Sequence, residues 1–258
     1  MQGGVRVQPG GKAQGCGILD RLGPAFLLLG TLFSTIGFLL AFTTAPLVLG
    51  AGSSAPALIG GQMVANKLLL SQKIFYFHVP VALASFIALG FTAYFGIRYL
   101  TSRDAAFDLR SKLATELALV FILMTMASGE MWERYEWGIW WTWDPRLTTY
   151  FIMMLLVIGY FVLRNAIDDA ERRASYAAVF GILACIDAPI SFLITRLVPT
   201  SIHPVVFRTD SGLPPAMLLP FLLALAGMLM IGFGLFRWRL REQLLRQRVE
   251  ALLAELED

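Results

Sequence analysis

Charge is what this chain lacks most. Only 15% of its 258 residues are Asp, Glu, Lys or Arg, against about 25% in an ordinary soluble domain. With 57% hydrophobic residues and a mean hydropathy of +0.67, there is too little polar surface to cover a globular particle. A polytopic membrane protein is the expectation. Cysteine is nearly absent as well. Cys16 precedes the first apolar run and Cys185 lies inside the fifth, and no CxxC or Cys/His spacing occurs. Thiol chemistry and structural zinc are therefore disfavoured. No glycine-rich phosphate loop follows a strand and no ATPase motif is visible, and the net charge of +3 gives no signal for nucleic acid. Histidine is limited to His78 and His203.

The apolar runs are what the chain has instead. Pro24–Phe42, Ile74–Ile97, Leu113–Met131, Leu147–Leu163, Tyr176–Thr195 and Pro215–Phe236 each approach the roughly 20 residues a bilayer span needs. In lipid the backbone must satisfy its own hydrogen bonds, which makes these runs helices. The fold expected is all-α, with six transmembrane helices. Of the 21 Lys and Arg residues, 15 fall in the N-terminal tail, the second and fourth connections and the C-terminal segment, and 6 in the other three connections. The positive-inside rule then puts both termini in the cytoplasm. The connections 43–73, 132–146 and 196–214 face outward together. Residues 1–23, glycine-rich with Arg6, Lys12 and Arg21, read as a flexible cytoplasmic tail ahead of a membrane domain over 24–236. The 43–73 connection, with six glycines and serines in 50–61, reads as irregular. Over 237–258, Leu245, Val249, Leu252 and Leu256 recur amid Arg and Glu, the pattern of an amphipathic cytoplasmic helix continuing from the sixth span. A membrane-surface extension and a docking site for a cytoplasmic subunit both fit it.

The outward segment between the third and fourth spans concentrates the aromatic residues. Five of the six tryptophans (Trp132, Trp137, Trp140, Trp141 and Trp143) fall between Trp132 and Arg146. Trp137, Trp140, Trp141 and Asp144 are spaced i, i+3, i+4 and i+7, so a helix would present them on one face. One or two tryptophans would be an interfacial belt. Four in seven residues exceed what anchoring needs and suggest a flat aromatic surface for a large planar ligand. Asp144-Pro145 supplies a helix start, Asp as N-cap and Pro at the first helical position. Asp144 therefore reads as a structural cap, and any helix through the tryptophans must end there. His78 and His203 both lie on the tryptophan side, and a pair of neutral imidazoles suits a haem iron. Among the outward basic residues Lys67, Lys73, Arg134, Arg146, Arg196 and Arg208, Arg134 and Arg146 bracket the tryptophans and are the preferred clamps for haem propionates. Contact with lipid phosphates is the competing role for each. Asp187, in the middle of the fifth span, is a functional candidate by depth alone, with a hydrogen-bonded structural role near Pro189 as the simpler reading. Glu116 beside Lys112 reads as an interfacial ion pair.

The run Trp137-Gly138-Ile139-Trp140-Trp141-Thr142-Trp143-Asp144-Pro145-Arg146-Leu147-Thr148 resembles the tryptophan-rich WGxxWxWDxRLT signature of haem-handling membrane proteins. With six spans and Tyr76-Phe77-His78-Val79-Pro80, residues 20–240 resemble the heme exporter protein C (CcmC) family of cytochrome c maturation. That resemblance implies a bacterial inner-membrane protein that holds haem b on its periplasmic face. It implies His78 and His203 as the axial ligands, and Trp137, Trp140, Trp141, Trp143 and Asp144 as the surface and its support, with Trp132 in the same candidate set. The partners implied are the haem chaperone CcmE and an ABC-type complex of CcmA, CcmB and the small CcmD, whose ATPase belongs to the partner. The resemblance thus points to haem binding and delivery rather than to an enzyme. Two alternatives stay open: a synthetase-type member attaching haem to apocytochrome c, and a secondary transporter with Asp187 on its pathway. The first usually needs more than two histidines, and the sequence shows no inverted repeat for the second.

Overall fold

The computed structural model describes residues 18–46, 57–59, 62–64, 72–198, 200–203, 213 and 215–257. Six helices account for most of them: α1 (Ile18–Thr43), α2 (Phe75–Ser102), α3 (Ala105–Trp137), α4 (Pro145–Ala166), α5 (Ala170–Leu197) and α6 (Pro215–Glu257). All six are long and apolar enough to cross a membrane, as the six apolar runs lead one to expect. The expected tail overlaps α1, which already begins at Ile18, while residues 1–17 lie outside the described residues. The 43–73 connection is not irregular throughout. Ala57–Ile59 (β1) and Gln62–Val64 (β2) pair antiparallel, with Leu58 opposite Met63, and a 3-10 turn over Gln72–Ile74 leads into α2.

Three helix starts share one device. Asp104, Asp144 and Asp169 each place a carboxylate oxygen on a backbone N–H of the first turn, at 2.8 Å from Ala106, 2.9 Å from Arg146 and 2.8 Å from Arg172. Such N-caps satisfy donors that otherwise have no intrahelical partner. They fix where α3, α4 and α5 begin. Helix α5 runs unbroken through Pro189.

The core lies among α2, α3, α4 and α5, where Leu89, Ala118, Ile122, Met153, Val157 and Ala184 are sealed from solvent. Small polar contacts cross between helices inside it: Ser85 Oγ lies 2.9 Å from Tyr150 Oη, and Thr92 Oγ1 lies 3.2 Å from Thr115 Oγ1. In lipid such bonds replace a hydrophobic driving force that is missing between apolar helices. Arg164 makes a bidentate bond to Asp108 at 2.6 and 2.8 Å, tying the end of α4 to the start of α3. Glu116 pairs with Lys112 at 3.8 Å as expected, and also with Arg239 of α6 at 3.1 Å.

Helices α1 and α6 form the most extensive pair. They approach backbone to backbone because the facing residues are glycines. A Cβ on Gly30 would stand 2.8 Å from the Gly227 carbonyl oxygen, and one on Gly227 would stand 2.3 Å from Ser34 Oγ and 2.7 Å from the Gly30 carbonyl oxygen. Helix α6 is 43 residues long, about 65 Å at 1.5 Å per residue. A hydrocarbon core of about 30 Å holds only its first half, so Arg237 onward extends beyond it as one continuous helix.

Candidate functional site

Helix α3 carries the tryptophan segment to its position and then stops at Trp137, because Gly138 adopts the left-handed conformation at φ 76°. Glycine enters that region without the Cβ penalty and ends helices this way. The helical face expected for Trp137, Trp140, Trp141 and Asp144 is therefore not formed: Trp137 closes the helix, and residues 138–144 follow as non-helical chain. The segment is instead organised by its own contacts. The Arg134 guanidinium donates to the Gly138 carbonyl and lies over the Trp140 ring at 5.8 Å. Trp141 and Trp143 meet edge to face at 5.6 Å and 87°, and both rest against Phe151 of α4. The rings form an angular cluster rather than a plane. Trp140 and Trp143 keep 61% and 73% of their surface exposed, which leaves their faces open to a partner. An open cavity of about 650 Å³ sits under this segment, lined by Met131, Arg134, Tyr135, Glu136, Trp137, Gly138 and Trp140.

Asp144 is more than a cap. Its Oδ1 accepts from the Arg146 N–H at 2.9 Å and from Ser201 Oγ at 3.1 Å, and its Oδ2 accepts from the Ile202 N–H at 2.8 Å. One buried carboxylate thus ties the start of α4 to the connection that carries His203. The imidazole Nδ1 of His203 stands 3.9 Å from Asp144 Oδ1.

His78 lies in the first turn of α2 with its ring against α3. Its Nδ1 is 3.0 Å from Ser128 Oγ, and its ring meets Trp132 edge to face at 5.7 Å. His203 meets Trp137 edge to face at 5.4 Å. Both histidines line one narrow cavity together with Thr125, Trp141, Arg146 and Tyr150. The structure therefore brings together two residues 125 positions apart in sequence, at the end of the bundle that bears the tryptophans.

The electrostatics suit neutral nitrogen ligands. Burial pushes the His203 imidazole down to about 4; the Arg146 charge lowers it further, and Asp144 opposes the shift. At neutral pH it is an uncharged imidazole with a lone pair to offer. Its Nδ1 is enclosed without a hydrogen-bond partner among the described residues. An orphaned ring nitrogen and a second histidine in the same cavity fit a haem iron, which takes axial imidazoles. The cavity itself holds about 30 Å³, about one water's share of liquid volume, so a macrocycle enters between the histidines only when their walls separate.

The other expected site residues divide. Arg146 lines the histidine cavity, whereas Arg134 lines the larger open one, so the two arginines do not converge on one pocket. Trp132 donates its Nε1–H to Glu136 at 3.2 Å while flanking His78. Lys73 is taken up structurally: its Nζ donates to the Ala41 and Ala45 carbonyls at 2.6 and 2.7 Å, finishing α1. Arg196 stacks over Phe192 at 5.1 Å. Lys67 and Arg208 lie outside the described residues. Asp187 is not at this site, and its Oδ2 has no hydrogen-bond partner among the described residues.

Sequence reasoning passed over Ser128, Gly129, Ser201 and Glu133. Glu133 is only 2% exposed and turned toward Thr142. An acidic residue one position past Trp132 gave a visible signal. Ser128 and Gly129 gave less, a small polar pair in an otherwise bulky stretch of α3.

Comparison with known proteins places this arrangement. Residues 13–255 match the family model described as Heme exporter protein C. Curated relatives carrying that name include one from Bradyrhizobium diazoefficiens, 30% identical over 182 residues, covering 70% of this chain and 69% of the relative. One from Rhodobacter capsulatus is 27% identical over 224 residues, covering 84% and 91%. One from Escherichia coli is 26% identical over 178 residues, covering 68% and 71%.

Proposed function

The chain belongs to the heme exporter protein C family, and from that premise we propose that it binds haem b between His78 and His203 and presents it to a partner. Haem handling for cytochrome c maturation is the role to which the relatives' name points. The observation that carries the reading in this chain is the single cavity lined by both histidines, Arg146 and Trp141.

Each residue has a part that follows from its position. His78 and His203 offer imidazoles from two separate elements and would hold the iron, joining the α2 start to the 200–203 connection. Arg146 lines the same cavity and matches one propionate. Trp141, which lines the same cavity, would stack against the macrocycle, and the exposed rings of Trp140 and Trp143 would be open to the receiving protein. Asp144 holds the connection that carries His203. Haem supplies an iron with two open axial positions and two carboxylates, and nothing in these roles requires the chain to make or break a bond.

In this reading the tryptophan end faces the periplasm, across the bacterial inner membrane from both termini. The receiving protein is the haem chaperone CcmE. CcmA, CcmB and CcmD form the ABC-type complex around the chain, and any ATP hydrolysis belongs to them. The basic-residue distribution supports that orientation. The reading is tested on protein purified from cells co-expressing the chaperone. A bis-histidine haem spectrum is expected, lost when His78→Ala and His203→Ala are combined. Unchanged haem content in that double variant overturns the ligand assignment, and absence of covalent haem on the chaperone overturns the delivery step.

A further inference from the structure

Helix α3 places three consecutive features against the His78 ring. Ser128 Oγ lies 3.0 Å from its Nδ1. Gly129 follows, where a Cβ would stand 3.0 Å from His78 Cε1 and 3.6 Å from Nδ1. Trp132, one turn on, closes the edge at 5.7 Å. Glycine at 129 thus lets the imidazole lie directly on the α3 backbone, with its Nδ1 on Ser128 and the Thr125 backbone also within hydrogen-bonding reach of the ring.

The Ser128 hydroxyl has a single proton. Two acceptors that cannot donate lie within its reach, the Met124 carbonyl at 2.8 Å and the Thr125 carbonyl at 3.1 Å. This is the usual back-bonding of a helical serine. A hydroxyl that gives its proton to a carbonyl has only lone pairs left for the imidazole, so the ring nitrogen facing it must bring the hydrogen. The opposite nitrogen of a neutral imidazole is then the one with a free lone pair.

We propose that Ser128 is a positioning residue that holds the proton on Nδ1 of His78 and so keeps the Nε2 lone pair open to the cavity shared with His203. The proposal deepens the haem-binding reading and rests on it for its purpose, though not for its chemistry. If the hydroxyl instead gave its proton to Nδ1, the hydrogen would sit on Nε2 and block ligation. His203 has no such bond: Asp144 Oδ1 stands 3.9 Å from its Nδ1, which is too far for a hydrogen bond. Groups placed as Ser128 is fix the tautomer of a metal-binding histidine, and their removal typically costs 10–100-fold in metal affinity.

The test uses the full chain in lipid nanodiscs with nitrogen-15-labelled histidine. Two histidines give four ring-nitrogen resonances, and His203→Ala assigns them. Without haem, the wild type and Ser128→Thr are expected to show His78 protonated on Nδ1. In Ser128→Ala the signal should move toward the Nε2–H form while the His203 resonances stay in place. A wild-type His78 protonated on Nε2 overturns the proposal, and this result decides it alone if Ser128→Ala does not assemble. An unchanged tautomer in Ser128→Ala overturns it equally. In haem titrations, Ser128→Ala should bind about 10–100-fold more weakly, with Ser128→Thr restoring affinity. Equal affinity of Ser128→Ala and wild type overturns the positioning role. A wild type that binds no haem overturns the haem reading instead, and the tautomer spectrum separates the two failures.

Discussion

Replacing Asp144 by alanine should release His203 without unfolding the bundle. The carboxylate is buried, its side chain 2% exposed, and it makes three bonds: to the Arg146 N–H, to Ser201 Oγ and to the Ile202 N–H. The first is an N-cap whose loss costs α4 about 1 kcal/mol. The other two are hydrogen bonds to a charged acceptor, about 1.5–3 kcal/mol each, so the attachment of the 200–203 connection is worth about 3–6 kcal/mol in all. The lower figure is about a hundredfold in the ratio of attached to released connection. Because His203 travels with that connection, haem affinity should fall by about the same factor in Asp144→Ala. Asp144→Asn keeps one carbonyl oxygen for the cap but replaces the Oδ2 acceptor, and Ser201→Ala removes only one bond, so both should fall in between. Hydrogen exchange at the Ile202 amide reads the latch directly in haem-free protein, and haem titration reads its consequence. Wild-type protection of that amide in Asp144→Ala would refute the reasoning, whatever the haem affinity turns out to be.

The α1–α6 seam gives a second expectation. Gly227→Ala places a Cβ on the Ser34 and Gly30 backbones, where nothing yields without moving a helix. Overpacking of this kind costs about 1–3 kcal/mol, read as a lower thermal midpoint in detergent; an unchanged midpoint contradicts the packing. A third concerns pH in haem-free protein. The folded-state pKa of His203 is depressed to about 4 from an ordinary 6.5, so the released connection binds more protons between those values. Attachment should be unaffected above about pH 6.5 and should weaken progressively as pH falls toward about 4, by at most about 3 kcal/mol. Ile202 exchange that is flat over this range would contradict it.

Much of the frame was legible because it is written in long runs. Six apolar stretches gave six helices, and Asp144-Pro145 marked the start of α4 from its chemistry alone. The same reasoning misjudged the tryptophans. A spacing of i, i+3, i+4 and i+7 fits a helix, but Gly138 inside the pattern adopts φ 76° and ends the helix before three of the four residues. The glycine stands in plain view within the pattern, but spacing alone does not report that it ends the helix. Asp144 was read as a local cap because nothing in a one-dimensional pattern reports the bonds to Ser201 and Ile202, more than fifty residues away. Lys73 counted as a free outward cation for the same reason. The two histidines were placed on one side by the alternation of spans, yet the serine and glycine beside His78 come from another helix, and only packing reveals them.

The seam between α1 and α6 joins the first and last helices of the bundle. During synthesis α1 enters the membrane while its partner is still five helices away, with the backbone of Gly30 facing lipid until Gly227 arrives. Helices α2 to α5 can settle among themselves beforehand, since their core needs neither end. The α1–α6 pairing therefore comes last, and it comes only for a chain translated to its sixth span. The glycines that make the contact tight also make it selective, because a substitute helix with any larger residue opposite Gly30 cannot approach as closely.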